Sequence, residues 1–356
     1  MPGTVKNYAR VLADLRAADA KSFGGKSSAL GELIAAGIPV PPGFAVSTAA
    51  YRSFVAGAGL ERMLEAAMSG LSPDDVDAVG AVSHRLGEAM RSAPIPPSVR
   101  EEVARRYAEL GEPPVAVRSS ALGEDSREAT FAGQQETYLW VRGAEGVCDA
   151  VRDCWVSLYS PPAITYRARL GTAAGEPAMG VAVQQMVDAE ISGVMFTCNP
   201  VSGDPSMVAI NASWGLGLAV VGGEVTPDDF LVSKVTREVV RRHVHAKEVE
   251  YVPAADGGGA VRREVPDERR ELACLDAAAL EALVEVGRRV ERHFGSPQDV
   301  EWAIARGAEL PSSLFVLQSR PVTAVPSRRE PKPASAMSLL MSTFGAGVAG
   351  SDPEGV

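Results

Sequence analysis

The spacing of apolar residues along the chain alternates between the period of a strand and that of a helix. The stretch "IPVPPGFAVSTAAYRSF" predicts a proline-bounded turn, a short strand over 43–46 and a helix capped by Ser47 or Thr48. Residues 51–110 have a mostly helical pattern, and 98–110 is clearly amphipathic. The first third of the chain therefore predicts one strand followed by a helical block.

Apolar, β-branched segments follow this helical block. "PPVAVRSS" predicts a short strand that ends at Arg118, and two further strands are predicted over 180–187 and 192–197. "DAAALEALVEVGRRVERHFG" predicts a helix with Asp276 as its N-cap and Gly295 just past its end. Strands and helices are therefore interspersed along the chain.

Two segments with strict alternation close the ordered part of the pattern. "QDVEWAIA" (298–305) and "LFVLQSRPV" (314–322) predict two strands joined by a polar turn. Gln318 and Arg320 are two positions apart, so we expect them on the same face of their strand.

The character of the sequence changes after Val325. Residues 326–356 are rich in Pro, Ser, Gly and Ala, with one apolar patch around Leu339–Phe344. We predict a linker or flexible tail there, and we expect its apolar patch to dock a partner.

Composition limits the function classes. With 356 residues, 46% of them hydrophobic and 22% charged, the chain fits a globular enzyme and not a disordered protein. A net charge of −10 argues against a nucleic-acid surface, which needs a basic footprint. The four cysteines form no C-x-x-C pair, no signal peptide is recognisable and no apolar run reaches the ~20 residues of a membrane span. We therefore expect a soluble, cytoplasmic protein.

The stretch "KSFGGKSSALGEL" contains Gly-Gly-Lys-Ser, which is similar to part of the phosphate loop of P-loop ATPases. That loop needs a glycine five positions before its Gly-Lys pair, in a turn that leaves a buried strand. Here the pair is Gly25 and Lys26, the required position is Ala20, and the preceding segment is charged and alanine-rich. The P-loop interpretation fails, and a glycine-rich turn carrying Lys26 before a helix over 28–36 remains.

Six segments carry a more specific signal because they occur together and in order. They are "GGKSSALGEL…IPVPPGFAVS", "AVRSSALGEDSREATFAGQQETYL", "VAVQQMV", "SGVMFTCNPVSGD", "SWGLGLAVVGGEVTPDDFLV" and "DVEWAI…LFVLQSRPV". The set, over roughly residues 5–325, resembles the ATP-binding domain of phosphoenolpyruvate synthase, pyruvate phosphate dikinase and rifampin phosphotransferase. The resemblance implies an α+β, ATP-grasp fold whose two subdomains, 1–190 and 191–325, close on the nucleotide.

The resemblance also implies roles for residues of the first subdomain. ATP carries about four negative charges, so its site needs cations, a metal and backbone donors. Lys26 and Arg118 match phosphate-contacting residues, and a guanidinium fork suits two phosphate oxygens. Gly133 and Thr137 match a glycine loop whose backbone amides cradle phosphate, and Gln184 matches the segment that meets the adenine.

The second subdomain supplies the metal ligands by the same resemblance. Glu301 and Gln318 match the pair that holds Mg²⁺, a hard cation that prefers oxygen ligands. Arg320 matches the arginine that stabilises charge on the transferred phosphoryl group, while Asp299 is either a supporting partner or a surface residue. The expected cofactors are ATP and Mg²⁺, and the expected catalytic residues are Lys26, Arg118 and Arg320.

One position departs from the family wording. The family commonly has glutamate where this chain has Leu218, and an apolar side chain there removes a ligand or hydrogen-bond acceptor near the nucleotide. Asp228 and Asp229, a few residues further on, are retained.

The phosphoryl acceptor is expected outside this sequence. Full-length relatives carry a swivelling domain with a phosphorylatable histidine in a Gly-Gly…Ser-His-Ala context. The four histidines of this chain lie in other contexts, and we expect surface positions for His84, His243, His245 and His293. The resemblance therefore implies transfer to a histidine on a separate partner, with ATP giving AMP and phosphate, as in phenylphosphate synthase, whose ATP-binding subunit this chain resembles.

Two other interpretations stay open at this point. A regulatory nucleotide-binding protein without transfer activity is favoured by Leu218 and opposed by the retained charged set. A kinase acting directly on a small molecule would give ADP instead of AMP.

Overall fold

The computed structural model describes residues 7–121, 136–170, 177–255 and 257–322. The first part of the chain contains strands β1 (Ala9–Val11), β2 (Gly43–Val46), β3 (Val115–Ala121), β4 (Thr137–Val141) and β5 (Met179–Gln185). Its helices are α1 (Ala20–Phe23), α2 (Gly25–Ala35), α3 (Thr48–Gly57), α4 (Glu61–Met68), α5 (Val76–Ser92), α6 (Pro97–Glu109), α7 (Ala144–Ser157) and α8 (Pro161–Leu170).

The second part contains the other strands of the described residues. These are β6 (Ala189–Phe196), β7 (Met207–Trp214), β8 (Asp228–Ser233), β9 (Val239–His243), β10 (Val249–Pro253), β11 (Ala260–Glu264), β12 (Gln298–Ala305) and β13 (Leu314–Pro321). The helices are α9 (Leu218–Val221), α10 (Asp267–Arg270) and α11 (Ala277–Phe294).

Two antiparallel sheets organise these elements. The first has the strand order β1-β2-β5-β3-β4 and the second the order β13-β12-β6-β7-β8-β9, while β10 and β11 form a separate hairpin. Helices pack beside antiparallel sheets in the α+β class. The predicted α+β fold class is therefore confirmed, whereas the boundary between residues 190 and 191 stays a prediction.

The strongest sequence patterns gave the right elements. Ser47 caps α3 by accepting from the Ala50 amide, and Asp276 caps α11 by accepting from the Ala279 amide. Gly295 ends α11 in the left-handed conformation, as predicted. In the part of the chain that the structure describes, no helix is long and apolar enough to cross a membrane.

The sequence predicts that strand β3 ends at Arg118, but the strand continues to Ala121. Ser119 and Ser120 pair in register with Val181 and Gly180 of β5, and both serines are buried. Polar residues at a buried position need partners, and here the neighbouring helix α2 supplies them. Arg118 therefore lies in the middle of a strand that is held on both sides.

Each sheet has its own apolar core. Helices α3 to α7 cover the face of the first sheet that carries Val117 and Val183. Helix α11 covers the face of the second sheet that carries Trp302 and Val316, and α2 adds Leu33 to the same core. Helix α2 therefore belongs to the first part of the chain by sequence but also contributes to the core of the second sheet.

Candidate active site

The lysine segment opens a helix and does not form a free turn. Helix α2 begins at Gly25, three residues earlier than predicted, so Lys26 lies in its first turn. Gly24 precedes it with φ of 86°, and a Cβ there would collide with the carbonyl and hydroxyl oxygens of Ser120. The prediction of a turn up to residue 27 is wrong, because the helix begins directly after Gly24. The packing of Gly24 against Ser120 of β3 is a long-range contact that sequence spacing does not reveal.

Lys26 is held against the first sheet. Its Nζ donates to the carbonyl oxygen of Ser119 at 3.0 Å, and the side chain is only 4% exposed. The Ser27 amide donates to Ser120 Oγ at 3.3 Å, while the hydroxyls of Ser27 and Ser28 are buried without a partner among the described residues. A helix N-terminus with a lysine and unsatisfied hydroxyl groups has the chemistry of an anion site.

One face of the first sheet carries three of the predicted residues. Arg118 is paired with Thr137 of β4 and with Ala182 of β5, two residues from Gln184. Because cross-strand partners and residues two apart share a face, Thr137, Arg118 and Gln184 lie on the face opposite the core. Gln184 is 2% exposed and its Nε2 has no partner among the described residues, whereas Thr137 is exposed. Gly133 lies outside the described residues.

The second sheet presents the metal and phosphate candidates on one face. Glu301 is paired with Gln318, and Asp299 with Arg320, across strands β12 and β13. A β-bulge follows Glu301, so Leu317 is left out of the pairing and Gln318 and Arg320 turn away from the core. Arg320 Nε donates to Asp299 Oδ2 at 2.8 Å, which answers the open question on Asp299: it supports Arg320.

Arg118 joins the two faces. Its Nη2 donates to Glu301 Oε2 at 2.6 Å, and its Nη1 donates to the carbonyl oxygen of Leu317 at 3.1 Å. The guanidinium group is largely buried, and the carboxylate is about one-third exposed. This contact brings the predicted residues of both sheets into one site.

Electrostatics at the site favour an ionised Glu301. Burial raises the pKa of Glu301, but Arg118, followed by Lys26 and Arg320, outweighs burial and holds that pKa below the ordinary 4.5. Burial raises the pKa of Asp299 above 3.8, although Arg320 opposes it. Glu301 is therefore a carboxylate at neutral pH, within the field of three cations.

The donor set fits a magnesium ion. Gln318 Oε1 is buried without a hydrogen-bond partner among the described residues, directly across from the Glu301 carboxylate. No group of three or more His, Cys, Asp or Glu side chains in the described ranges could hold a metal. Mg²⁺ needs only one or two protein ligands when phosphate oxygens and water complete its shell, so this pair is sufficient.

The sequence comparison decides the family. Residues 20–339 match the family model described as pyruvate phosphate dikinase, AMP/ATP-binding domain. The chain belongs to this family. The resemblance carried by the six segments is thereby confirmed, and candidate site residues of the two sheets meet, as the ATP-grasp prediction requires.

Three members of this family with curated names are longer than the chain. This chain is 40% identical over 329 residues to the probable phosphoenolpyruvate synthase of Methanocaldococcus jannaschii, and the match covers 91% of this chain and 27% of that protein. It is 39% identical over 345 residues to that of Methanothermobacter thermautotrophicus, covering 95% and 49%. The phosphoenolpyruvate synthase of Aeropyrum pernix is 38% identical over 344 residues, covering 86% and 41%. The chain spans about a quarter to a half of the length of these relatives.

Solved structures add little to this family assignment. The chain is similar to the Pyrococcus horikoshii protein PH1788 with a TM-score of 0.30 and 13% identity, over 68% of this chain and 91% of that one. D-cycloserine synthetase DcsG gives a TM-score of 0.25 and 14% identity, over 82% and 61%. Likenesses at these scores carry no argument.

Within this AMP/ATP-binding domain, the retained Asp228 is a core residue. Its side chain is fully buried and its Oδ1 accepts from Lys247 Nζ at 2.6 Å, while its Oδ2 accepts from the Cys274 amide at 2.8 Å. Asp229 forms an exposed ion pair with Arg241. Sequence reasoning missed Lys247, and it also missed the carbonyl oxygens of Ser119 and Leu317 that hold Lys26 and Arg118, because a backbone acceptor leaves no signal in the sequence.

The histidines have contacts of their own. His84 lies beside Glu88, His293 lies 3.3 Å from Glu32, and His245 Nδ1 is 2.8 Å from the carbonyl oxygen of Pro227. His243 is exposed on the edge strand β9. None of these contacts involves the site residues described above.

Proposed function

We propose that this chain binds Mg-ATP between the two polar sheet faces and transfers a phosphoryl group to a histidine on a separate domain or subunit. The observation that carries the proposal is the meeting of Arg118 and Glu301 at 2.6 Å, with Lys26 and Arg320 close enough to act on the pKa of Glu301. Cations from both halves of the chain converge there on one potential phosphate position.

The charge balance of the site supports a polyphosphate ligand. Lys26, Arg118 and Arg320 supply three positive charges against two from Glu301 and Asp299. Bound Mg²⁺, with Glu301 and Gln318 as its protein ligands, supplies two further positive charges to the phosphates. A ligand with about four negative charges then finds a complementary site, whereas a neutral sugar or peptide does not.

Each side chain has a defined task in the proposed reaction. Lys26 and Arg118 bind phosphate oxygens and orient the chain of phosphates, and Gln184 offers an amide to the adenine edge. Arg320, oriented by Asp299, stabilises negative charge on the transferred group. The histidine accepts the β-phosphoryl group and water accepts the γ-phosphoryl group, so AMP, inorganic phosphate and a phosphohistidine result.

Two observations support an acceptor on a separate domain or subunit. The chain spans at most about half of the length of the relatives reported above, which carry additional sequence. The four histidines of this chain make their contacts elsewhere in the fold. The phosphohistidine would then pass its group to a small molecule such as pyruvate or a phenolic or hydroxyl compound.

A nucleotide product assay tests this proposal. The chain is incubated with Mg-ATP, alone and with the histidine-bearing protein encoded beside it, and AMP is resolved from ADP. AMP and phosphate that appear only with the partner support the proposal, and Arg320→Ala should then abolish them without unfolding the chain. ADP would indicate a direct kinase, and bound but unchanged ATP would indicate a binding-only protein, the outcome that Leu218 favours.

A further inference from the structure

The second sheet has an open edge at the end opposite to the candidate site. Strand β9 is the last strand in the order β13-β12-β6-β7-β8-β9, and in the described ranges it pairs only with β8. All five of its residues, Val239–His243, are exposed, whereas β8 beside it is largely buried. An edge strand carries backbone N–H and C=O groups that accept a further strand. Strand β9 therefore offers a free backbone edge.

The register of β8 and β9 indicates which backbone groups face this edge. The Ser233 amide of β8 donates at 3.0 Å to the carbonyl oxygen directly before β9, so the backbone of Ser233 faces β9. Backbone groups of alternate residues face the same neighbour, so Asp229, four positions earlier, also faces β9, and its partner His243 faces back to β8. Arg242 directly precedes His243. Its N–H and C=O groups therefore point away from β8, toward the open edge.

Basic and apolar side chains surround this edge. Arg242 is exposed and makes no ion pair within the part of the chain that the structure describes, while Arg241 pairs with Asp229. The exposed apolar residues of this segment, with between 37% and 80% of their surface exposed, are Val235, Val239, Val240 and Val244. The chain as a whole has a net charge of −10, so this strand is a basic and apolar patch on an acidic protein.

The charges of the patch decide which kind of strand fits the edge. Full antiparallel overlap of β9 with a second copy of the chain places Arg241 opposite its own counterpart, and like charges directly opposite each other destabilise a sheet. Carboxylates on an incoming strand instead attract Arg241 and Arg242, and apolar side chains of that strand pack on the exposed valines. Charge complementarity therefore favours an acidic strand over a second copy.

We propose that β9 is a docking edge for an extended, acidic segment of a partner protein, which adds a strand to the six-stranded second sheet. The segment forms backbone hydrogen bonds with Arg242 and places carboxylates beside the two arginines. Strand β9 is four strands away from β12, roughly 19 Å at the usual spacing of strands. The docking edge is therefore separate from the nucleotide site, and the inference does not rest on the proposed function.

A short fluorescein-labelled peptide of alternating Val and Glu tests the proposal. The full chain is titrated into the peptide at low salt, and binding is measured by fluorescence anisotropy. We expect this peptide to bind about tenfold more tightly, or better, than the same peptide with Lys in place of Glu, because each ion pair becomes a repulsion. The acidic peptide with N-methylated amides keeps its charges but has no N–H donors, so it should bind about tenfold more weakly. Amide hydrogen exchange of Arg242, measured by NMR, should slow in the complex.

Two variants separate this edge from the general charge of the protein. Arg242→Glu reverses one charge at the edge and should weaken binding of the acidic peptide by about tenfold. Arg85→Glu makes the same charge change at an exposed position of α5 and should leave the peptide affinity unchanged. The affinity for ATP should be the same in both variants and the wild type, and thermal unfolding verifies that the fold persists.

Each contrary outcome overturns the inference without touching the proposed nucleotide site. Absence of binding up to about 1 mM of the chain excludes an acidic strand as the occupant. Equal binding of the N-methylated peptide, or an unchanged affinity in Arg242→Glu, would reduce the interaction to non-specific attraction between charges. A wild-type dimer that dissociates in Arg242→Glu, seen by sedimentation, would make a second copy the occupant instead.

Discussion

Lys247→Met removes the cation from its buried ion pair with Asp228, which lies at the start of β8 in the second sheet. Lys247 and Asp228 are both 0% exposed, and Lys247 Nζ donates at 2.6 Å to Asp228 Oδ1 and to the carbonyl oxygen of His245. Two hydrogen bonds from a charged donor are worth about 1.5–3 kcal/mol each, and removing one partner of a buried pair costs about 3–5 kcal/mol. We therefore expect the free energy of unfolding to fall by about 3–5 kcal/mol.

Urea denaturation, followed by tryptophan fluorescence, measures this loss. Trp214 and Trp302 lie in the core of the second sheet, so the signal reports on the correct region. Lys21→Met, a change at an exposed helical position, is the matched control and should stay within about 0.5 kcal/mol of the wild type. Adding Asp228→Asn to Lys247→Met should restore part of the loss, because it removes the unpaired charge. A loss below about 1 kcal/mol for Lys247→Met would refute the reasoning.

Three substitutions and one chemical probe test other parts of the structure. Arg320→Lys should lower the rate of AMP formation by about a thousandfold, because a point charge does not replace the oriented guanidinium fork. Nucleotide binding, measured by calorimetry, should persist. Unchanged turnover would exclude the proposed role of Arg320. Gly24→Ala should cost about 2 kcal/mol or more in urea denaturation, since φ is 86° and the new methyl group meets strand β3. The four buried cysteines of the native chain should not react with Ellman's reagent at pH 8, because burial hides them and raises the pKa of Cys148 to about 11; four thiols should react after denaturation. The pKa of Glu301 lies below 4.5, so its contact with Arg118 stabilises the fold at neutral pH. This stabilisation is lost as pH falls through the lowered pKa. The difference in Tm between the wild type and Glu301→Gln should therefore shrink below pH 4.5.

Long periodic segments were predictable because their signal is local. Helix α11 shows its apolar face, its aspartate cap and its glycine end in the sequence, and strands β12 and β13 show their alternation. The start of α2 was not predictable, since the contact between Gly24 and Ser120 spans more than ninety residues of sequence.

The candidate site shows the same division between local and distant information. The motif wording indicated Arg118, Glu301 and Arg320, but their mutual contacts depend on the tertiary fold. The β-bulge at Leu317 changes which side chains of β13 face the core, so that Gln318 and Arg320 point away from it. Strict alternation counted from Val316 would not have revealed this change. The burial of Asp228 was equally hidden, because its partner Lys247 lies nineteen positions away, in the segment between β9 and β10.

Helix α2 contacts both sheets, so any relative movement of the two sheets must change its contacts with one of them. Its far end is fastened to the second sheet, where Arg289 donates to the carbonyl oxygen of Gly37 at 2.7 Å and the Val316 amide donates to that of Pro39 at 2.8 Å. Near its other end, Lys26 and Ser27 hydrogen-bond to strand β3 of the first sheet. If the two sheets move apart while α2 stays with the second sheet, Lys26 must separate from the carbonyl oxygen of Ser119. Separation of the two sheets and release of Lys26 from β3 would then be a single movement.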